Sequence, residues 1–248
     1  MDEAGDVLSP ERTAAVLAPI VDRLRLGIAH RVPEAGRQVL ADYGLSPSSM
    51  QTIAMLRNTM PDRSLDRAQV FDVFLYSPRD VVAASIAQLT ADGLLEELDG
   101  DRLRLSTRGR ACIQALHLCM SSIVDELWAG HARQVASVAP IAARAVSAGA
   151  ATGGAAFAVM SPPYEPDDAS LAMLLAERLT PLRFHRFDAH AAAWGAAGLT
   201  AEQMATLEPG PRRDAIEVDT NRRDAAPYAA LTPSDRLDLL AGLGALPS

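Results

Sequence analysis

The segment from Arg178 to Trp194 carries the densest group of chemically active side chains in the chain. On a helix, the spacings His185–Asp188 (i,i+3) and Arg186–His190 (i,i+4) place each pair on a shared face. A histidine beside a carboxylate is the minimum arrangement for an oriented general base. The cations of the segment also suit a carboxylated or phenolic ligand. We therefore predict a ligand-binding site from five residues of this segment, His185, Arg186, Asp188, His190 and Trp194.

The same pattern also fits an amphipathic helix whose histidines and arginines make capping and inter-helix hydrogen bonds. No metal site is predicted, because the segment lacks the i,i+4 histidine pair that places two ligands on one helical face. No cofactor is predicted either, since the chain has no nucleophile elbow, dinucleotide fingerprint or phosphate-binding loop. The glycines between Gly149 and Gly154 lack the lysine of a P-loop. Ligand binding is favoured over catalysis, and no catalytic residue is assigned.

Capping signals divide the rest of the chain into helices. Ser9-Pro10-Glu11 opens the first, which runs to about His30, and Pro33 starts a second that ends at Gly44. Further helices are predicted from the sequence after these starting signals: Ser46-Pro47, Ser64, Ser77-Pro78, Thr107, Ala132, Asp167 or Asp168, Thr200, Arg212 and Thr232-Pro233. The helices between residues 46 and 93 are short and tightly joined, which is typical of a helix-turn-helix.

A change of period after Gly93 predicts two strands. Leu94 to Leu98 forms the first, Asp99-Gly100 the turn, and residues 102–105 the return strand. Alternation puts Leu103 and Leu105 on one face and both arginines on the other. The expected fold is therefore mainly α, a winged helix-turn-helix with a small two-stranded wing and an additional helical domain.

Three stretches in this order resemble the MarR family of regulators. These are Gly44-Leu45-Ser46-Pro47, Leu89-Thr90-Ala91-Asp92-Gly93-Leu94, and Asp101-Arg102 followed by residues 105–110. The second half more loosely resembles uncharacterised MarR-related proteins of high-GC bacteria, through residues 185–192 and 216–222. The first resemblance implies a homodimer formed by the first and last helices of residues 1–130. It also implies a recognition helix in the major groove of duplex DNA and a small-molecule effector.

The recognition helix implied by this resemblance would begin at Arg79. Its candidate base or phosphate contacts, with those of the wing, are Arg79, Ser85, Gln88, Arg102 and Arg104. Ala83 and Ala84 stand where polar base-reading residues are usual in the family, and acidic residues crowd the wing. The sequence leaves open whether the helix reads DNA or has become a structural scaffold.

The composition of the chain further limits its possible functions and location. The 248 residues carry a net charge of −8, and all 23 basic residues are arginine, so a DNA contact would need a local basic patch. The alanine and arginine content is typical of a high-GC bacterial genome. Met1 to Asp6 is acidic and unlike a signal peptide, and no apolar run is long enough to span a bilayer. Cys112 and Cys119 lie too far apart on one helix for a disulfide. A cytoplasmic protein is expected.

Two domains are expected, a MarR-like domain over residues 1–130 and a helical, ligand-binding domain over residues 131–248. The first hypothesis is a MarR-like transcriptional regulator that responds to a small molecule. The second is an enzyme or small-molecule-binding protein that keeps the winged helix as a scaffold and works through His185 to His190. A partner-binding adaptor is a third class, without a positive motif.

Overall fold

The computed structural model describes residues 8–31 and 34–248 of the chain. It is mainly α, with one small antiparallel sheet. Met1 to Asp6 and Pro33, on which two of the predictions rest, lie outside the described residues. The helices are α1 Pro10–Arg31, α2 Glu34–Asp42, α3 Pro47–Leu56, α4 Arg67–Val73, α5 Arg79–Ala91, α6 Thr107–Leu127, α7 Ala132–Gly149, α8 Ala155–Met160, α9 Leu171–Ala196, α10 Ala201–Ala205, α11 Pro211–Arg223, α12 Ala226–Ala229 and α13 Pro233–Ala245.

Several helix starts follow the predicted capping residues, whereas the capping residue of α4, α6 and α9 differs from the predicted one and α5 begins after Pro78 without a side-chain cap. The predicted start of α4 at Ser64 is wrong, because Asp66 and Gln69 form a capping box there. The hydroxyl of Ser106, not that of Thr107, accepts the hydrogen bond at the start of α6. Ser170, and neither Asp167 nor Asp168, caps α9. A short polar side chain is the signal at each start, and its neighbours in sequence offer the same signal.

The sheet contains three strands: β1 Leu65–Asp66, β2 Leu95–Leu98 and β3 Arg102–Leu105. The strand order is β1-β3-β2, with both pairings antiparallel. Leu103 and Leu105 are buried and the two arginines beside them are exposed, as the alternation predicts. The two-stranded prediction missed β1, because a strand of two residues leaves no periodic pattern to detect.

Two large apolar clusters hold the fold together, and each draws on both halves of the chain. The first joins α1 and the end of α6 to α7, α9 and α13, and Trp128 is its largest fully buried side chain. The second surrounds the sheet and α5, and it includes Ala156, Val159, Met160 and Phe184. The predicted boundary between residues 130 and 131 therefore does not separate the clusters.

Helix α9 is the central element, because it contacts α1, α6, α7, α8 and α11. It runs without interruption through Pro181, where the sequence predicted a break or a kink. Both cysteines are free thiols, as predicted. Within the described ranges, no helix combines the length and apolar character needed to cross a membrane.

Candidate functional site

The five candidate DNA-contact residues lie on α5 and the neighbouring hairpin. Arg79 is exposed and its guanidinium stacks over the Phe71 ring at 4.1 Å. Gln88 is exposed and donates to Asp92 Oδ1 at 2.8 Å. Ser85 does not lie on the exposed surface expected of a DNA contact. It is only 2% exposed and its hydroxyl hydrogen-bonds that of Thr52 at 2.8 Å, facing the core.

The two arginines of β3 are paired with side chains of neighbouring residues. Arg104 Nε donates to Glu96 Oε2 at 2.8 Å, across the β2–β3 pairing. Arg102 donates to the Ser64 hydroxyl and lies 3.8 Å from an Asp66 carboxylate oxygen. A DNA phosphate would have to compete with these carboxylates for the same guanidinium groups.

The segment of α9 around His185 packs against the turn after α7 and against the end of α11. His185 is 2% exposed, and its Nδ1 lies 2.7 Å from Asp224 Oδ1, while its Nε2 lies 3.0 Å from the Thr152 hydroxyl. Asp224 is itself 1% exposed and directly follows α11. The carboxylate that orients His185 therefore comes from another helix, and the predicted pairing of His185 with Asp188 is not the one formed.

Asp188 instead accepts hydrogen bonds from the first turn of α8. Its two carboxylate oxygens lie 2.7 Å from the Phe157 nitrogen and 3.3 Å from the Ala156 nitrogen. Gly154 permits this approach, since a Cβ there would lie only 2.7 Å from Asp188 Cγ. Burial raises the pKa of Asp188, and the two backbone donors act in the opposite direction.

Arg186 holds the other side of Asp224. Its Nη1 donates to Asn221 Oδ1 at 2.9 Å and lies 3.5 Å from Asp224 Oδ2, and its Nη2 pairs with Glu217. Burial raises the pKa of Asp224, whereas His185 and Arg186 both favour its charged form. Arg186 thus acts as an inter-helix anchor between α9 and α11.

Two clefts flank α9 at this level. The smaller, here called the Thr152 cleft, has a volume of about 240 Å³ and is lined by Thr152, Gly154, His185, Asp188, Ala189, Ala192 and Arg223. The larger, here called the His190 cleft, has a volume of about 550 Å³ and is lined by Arg186, His190, Met204, Pro209, Arg213, Asp214 and Glu217. The structure therefore divides the predicted ligand residues between two clefts.

His190 and Trp194 have their own partners. His190 Nδ1 lies 3.2 Å from the Thr220 hydroxyl, and burial lowers the pKa of this histidine. Trp194 Nε1 donates to the Tyr76 hydroxyl at 2.9 Å, which connects the end of α9 to the α4–α5 turn. The chain thus uses Trp194 as an internal contact.

Sequence reasoning missed Thr152, Asp224 and Arg223. Thr152 and Asp224 lie 33 and 39 residues from His185, so no helical spacing connects them. The sequence signal for Thr152 is limited to a hydroxyl inside the glycine-rich stretch 149–154.

His117 of α6 is a second buried histidine. Its Nε2 lies 3.2 Å from the Arg57 carbonyl oxygen, and its ring packs against Tyr164 with centroids 5.0 Å apart. It also borders a cleft of about 320 Å³ between α6 and the loop before α9. Among the side chains that the structure describes, no group of three or more His, Cys, Asp or Glu is placed to hold a metal ion.

Comparison with protein-family models, with curated proteins and with solved structures finds no match for this chain. The geometry of the two clefts and of the α5 surface therefore carries the functional information.

Proposed function

We propose that the protein binds a small molecule in the Thr152 cleft and keeps a winged helix-turn-helix as a structural scaffold. The element order α3, β1, α4, α5, β2, β3, α6 and the strand order β1-β3-β2 support the scaffold assignment. The observation that carries the ligand-binding proposal is the Thr152 cleft itself. The hydroxyl of Thr152 lies beside the buried, fully paired His185 in a concave surface whose lining also includes Arg223, an arginine that pairs with Asp219.

Convergent polar groups in a cleft are the usual mark of a ligand site. The buried His185–Asp224 pair costs desolvation energy that an apolar pair of similar shape would not. Buried groups with a perturbed pKa, such as the Asp224 carboxyl, concentrate at functional sites. Arg223 carries hydrogen-bond donors, so the ligand carries acceptor oxygens, as a carbonyl or a carboxylate does.

The α5 surface argues against sequence reading of DNA. Its exposed positions include Val81, Ala84 and Ala87, which offer no hydrogen bonds to base edges. The nearby arginines of the wing are paired with carboxylates, and Arg67 in addition bridges Glu97 and Asp101. Phosphate contact releases counterions only where cations are available for it.

A MarR-like regulator is the second candidate, because Arg79 and Gln88 remain exposed on the helix that would enter the major groove. The homodimer implied by the family resemblance stays a prediction. The apolar face of α1, including Leu17, Val21 and Leu24, is covered within the same chain. A dimer would therefore have to use other surfaces.

The ligand proposal is tested by thermal unfolding in rising concentrations of acetate or benzoate at constant ionic strength. We expect both carboxylates to raise the melting temperature, and Arg223→Gln to abolish the shift. Arg222→Gln is the matched control, since both arginines pair with Asp219 and only Arg223 lines the cleft. An unchanged melting temperature for the wild type, or an equal effect of both variants, contradicts the proposal.

The DNA question is tested by incubating the protein with a random pool of duplex DNA at low salt. We expect no enriched sequence. Enrichment of a palindromic site, with an affinity that falls steeply with salt and is lost in Arg79→Ala, would favour the regulator instead.

A further inference from the structure

The side chains of Thr152, His185 and Asp224 form a continuous hydrogen-bonded series from the cleft surface to the interior. The Thr152 hydroxyl lies 3.0 Å from His185 Nε2, and His185 Nδ1 lies 2.7 Å from Asp224 Oδ1. An ionised carboxylate only accepts hydrogen bonds, so Nδ1 carries the hydrogen and Nε2 presents its lone pair to the threonine. The Thr152 hydroxyl therefore donates to His185.

This polarity is the one that nucleophilic catalysis requires. A hydroxyl becomes a useful nucleophile when a base takes its proton, and the base works when a carboxylate holds it in the correct tautomer. We propose that Thr152 is an acyl-accepting nucleophile, His185 its general base and Asp224 the positioning residue, in hydrolysis of small carboxylic esters. This inference rests on the proposed function, because it uses the same cleft.

The three groups differ in solvent exposure, as nucleophilic catalysis requires. Thr152 is exposed, whereas His185 and Asp224 are almost completely shielded from solvent. The imidazole is further confined by the Phe157 ring, whose centroid lies 5.4 Å away in an edge-on arrangement. A base shielded from water passes the proton that it takes from the hydroxyl to the leaving group and not to solvent. An exposed hydroxyl can reach a carbonyl carbon in the cleft.

The turn that carries Thr152 is fixed by backbone hydrogen bonds. The nitrogens of Thr152 and Gly153 lie 3.1 Å and 2.8 Å from the Gly149 carbonyl oxygen. Asp224 is held from its far side by Arg186. Both ends of the series are thus anchored, which is the preorganisation that positioning by a protein provides.

The reaction is a balanced hydrolysis. The Thr152 oxygen bonds to the ester carbonyl carbon while its proton moves to His185 Nε2. The tetrahedral intermediate then breaks its bond to the alcohol, which takes that proton and leaves. Water attacks the threonine ester through the same base, releasing the acid and restoring the threonine. Arg223 is the cation in the cleft lining that favours the negative charge on the carbonyl oxygen.

Hydrolysis of 4-nitrophenyl acetate tests this, with peptide mass spectrometry to locate the acetyl group. We expect a burst of 4-nitrophenol and an acetyl group on Thr152. Thr152→Val should remove both, and Thr152→Ser should retain both. His185→Gln should slow the reaction by about 10²–10⁴-fold, the usual contribution of a general base. The exposed Thr107→Val is the matched control and should react as the wild type does.

Asp224→Asn tests the positioning role separately. It should reverse the preferred tautomer of His185, seen in the ¹⁵N chemical shifts of its ring nitrogens, and slow the burst. An unchanged tautomer with an unchanged burst would refute this role.

A wild-type protein that hydrolyses the ester no faster than buffer would overturn the inference. So would a folded Thr152→Val protein with wild-type rates, or an acetyl group found on another residue instead. Because Thr152 is exposed, its substitution tests the chemistry without depending on the buried pair. The rise in melting temperature with acetate or benzoate, measured on the same preparations, separates the ligand-binding proposal from the nucleophile proposal. If stabilisation persists while hydrolysis is absent, only the nucleophile is refuted, whereas loss of both refutes the ligand site as well.

Discussion

The Arg57–Glu177 pair joins α3 to α9 deep inside the molecule. Arg57 is 5% exposed and Glu177 is 0% exposed, and their side chains form a salt bridge. Arg25 of α1 lies close enough for both charges to shift its pKa. Its pKa is lowered to about 10, mainly by burial and next by Arg57, whereas Glu177 acts in the opposite direction. One carboxylate therefore compensates the buried guanidinium of Arg57 and the half-buried guanidinium of Arg25.

Glu177→Gln keeps the shape of the side chain and removes this compensation. Breaking a buried ion pair by removing one charge costs roughly 3 to 5 kcal/mol, because the remaining charge stays desolvated. With a shift of about 2 to 4 °C per kcal/mol for a chain of this size, the melting temperature should fall by roughly 6 to 20 °C. Arg25 adds to the effect, since loss of Glu177 leaves it facing the positive charges of Arg57 and Arg183.

A double-mutant cycle with Arg57→Met, measured by equilibrium unfolding in urea, isolates the pair. The Arg57→Met/Glu177→Gln protein should be more stable than Glu177→Gln alone, with a coupling energy of about 2 kcal/mol. The exposed Arg104–Glu96 pair is the matched control, and Glu96→Gln should cost less than about 1 kcal/mol. The reasoning is refuted if Glu177→Gln costs no more than this control, or if the two buried substitutions are additive.

Three further perturbations follow from local geometry. Gly109→Ala places a Cβ 2.1 Å from the Leu94 carbonyl oxygen, so urea unfolding should report a loss of about 3 kcal/mol. His117 has a pKa lowered by burial and then by the charge of Arg57, so its native state binds fewer protons than the unfolded chain. The stability tied to His117 is complete above about pH 6.5 and falls below it, by up to about 1.4 kcal/mol per pH unit, and His117→Gln should reduce that slope. Burial raises the pKa of Cys112 to about 11, so Ellman's reagent should label the partly exposed Cys119 first.

The controls for these measurements come from the same chain. A Cβ added at Gly130 meets nothing within 4 Å, so Gly130→Ala should leave the free energy of unfolding nearly unchanged. An equal slope between pH 7 and pH 5 for His117→Gln and wild type would contradict the linkage argument. Labelling of Cys112 in the native protein at the rate of Cys119 would contradict its burial.

Local signals predicted much of the secondary structure. The hydroxyl and proline at the starts of α1, α3 and α13 mark those helices in the sequence, as does the leucine alternation of β3. Strand β1 escaped detection because it exists only through its pairing with β3. Local sequence decides caps and periodicity, whereas a two-residue strand is decided by its tertiary neighbour.

The candidate site was predictable only in part, for the same reason. The sequence pointed to His185, but it paired this residue with Asp188 by helical spacing. The structure shows that Asp188 accepts hydrogen bonds from the start of α8, and that Asp224, 39 residues away, takes the position beside His185. No spacing rule brings residues of α9 and α11 together, because their contact depends on how the two helices pack.

Helix α8 links the Thr152 cleft to the region around α5 and the sheet. At its start, two of its backbone nitrogens bind Asp188, which lines the cleft. Its apolar side chains, including Val159 and Met160, belong to the cluster that surrounds α5 and the sheet. A ligand that displaces Asp188 would therefore change a helix that packs directly on α4. The scaffold and regulator hypotheses thus differ in whether the α5 surface, beyond α4, binds DNA.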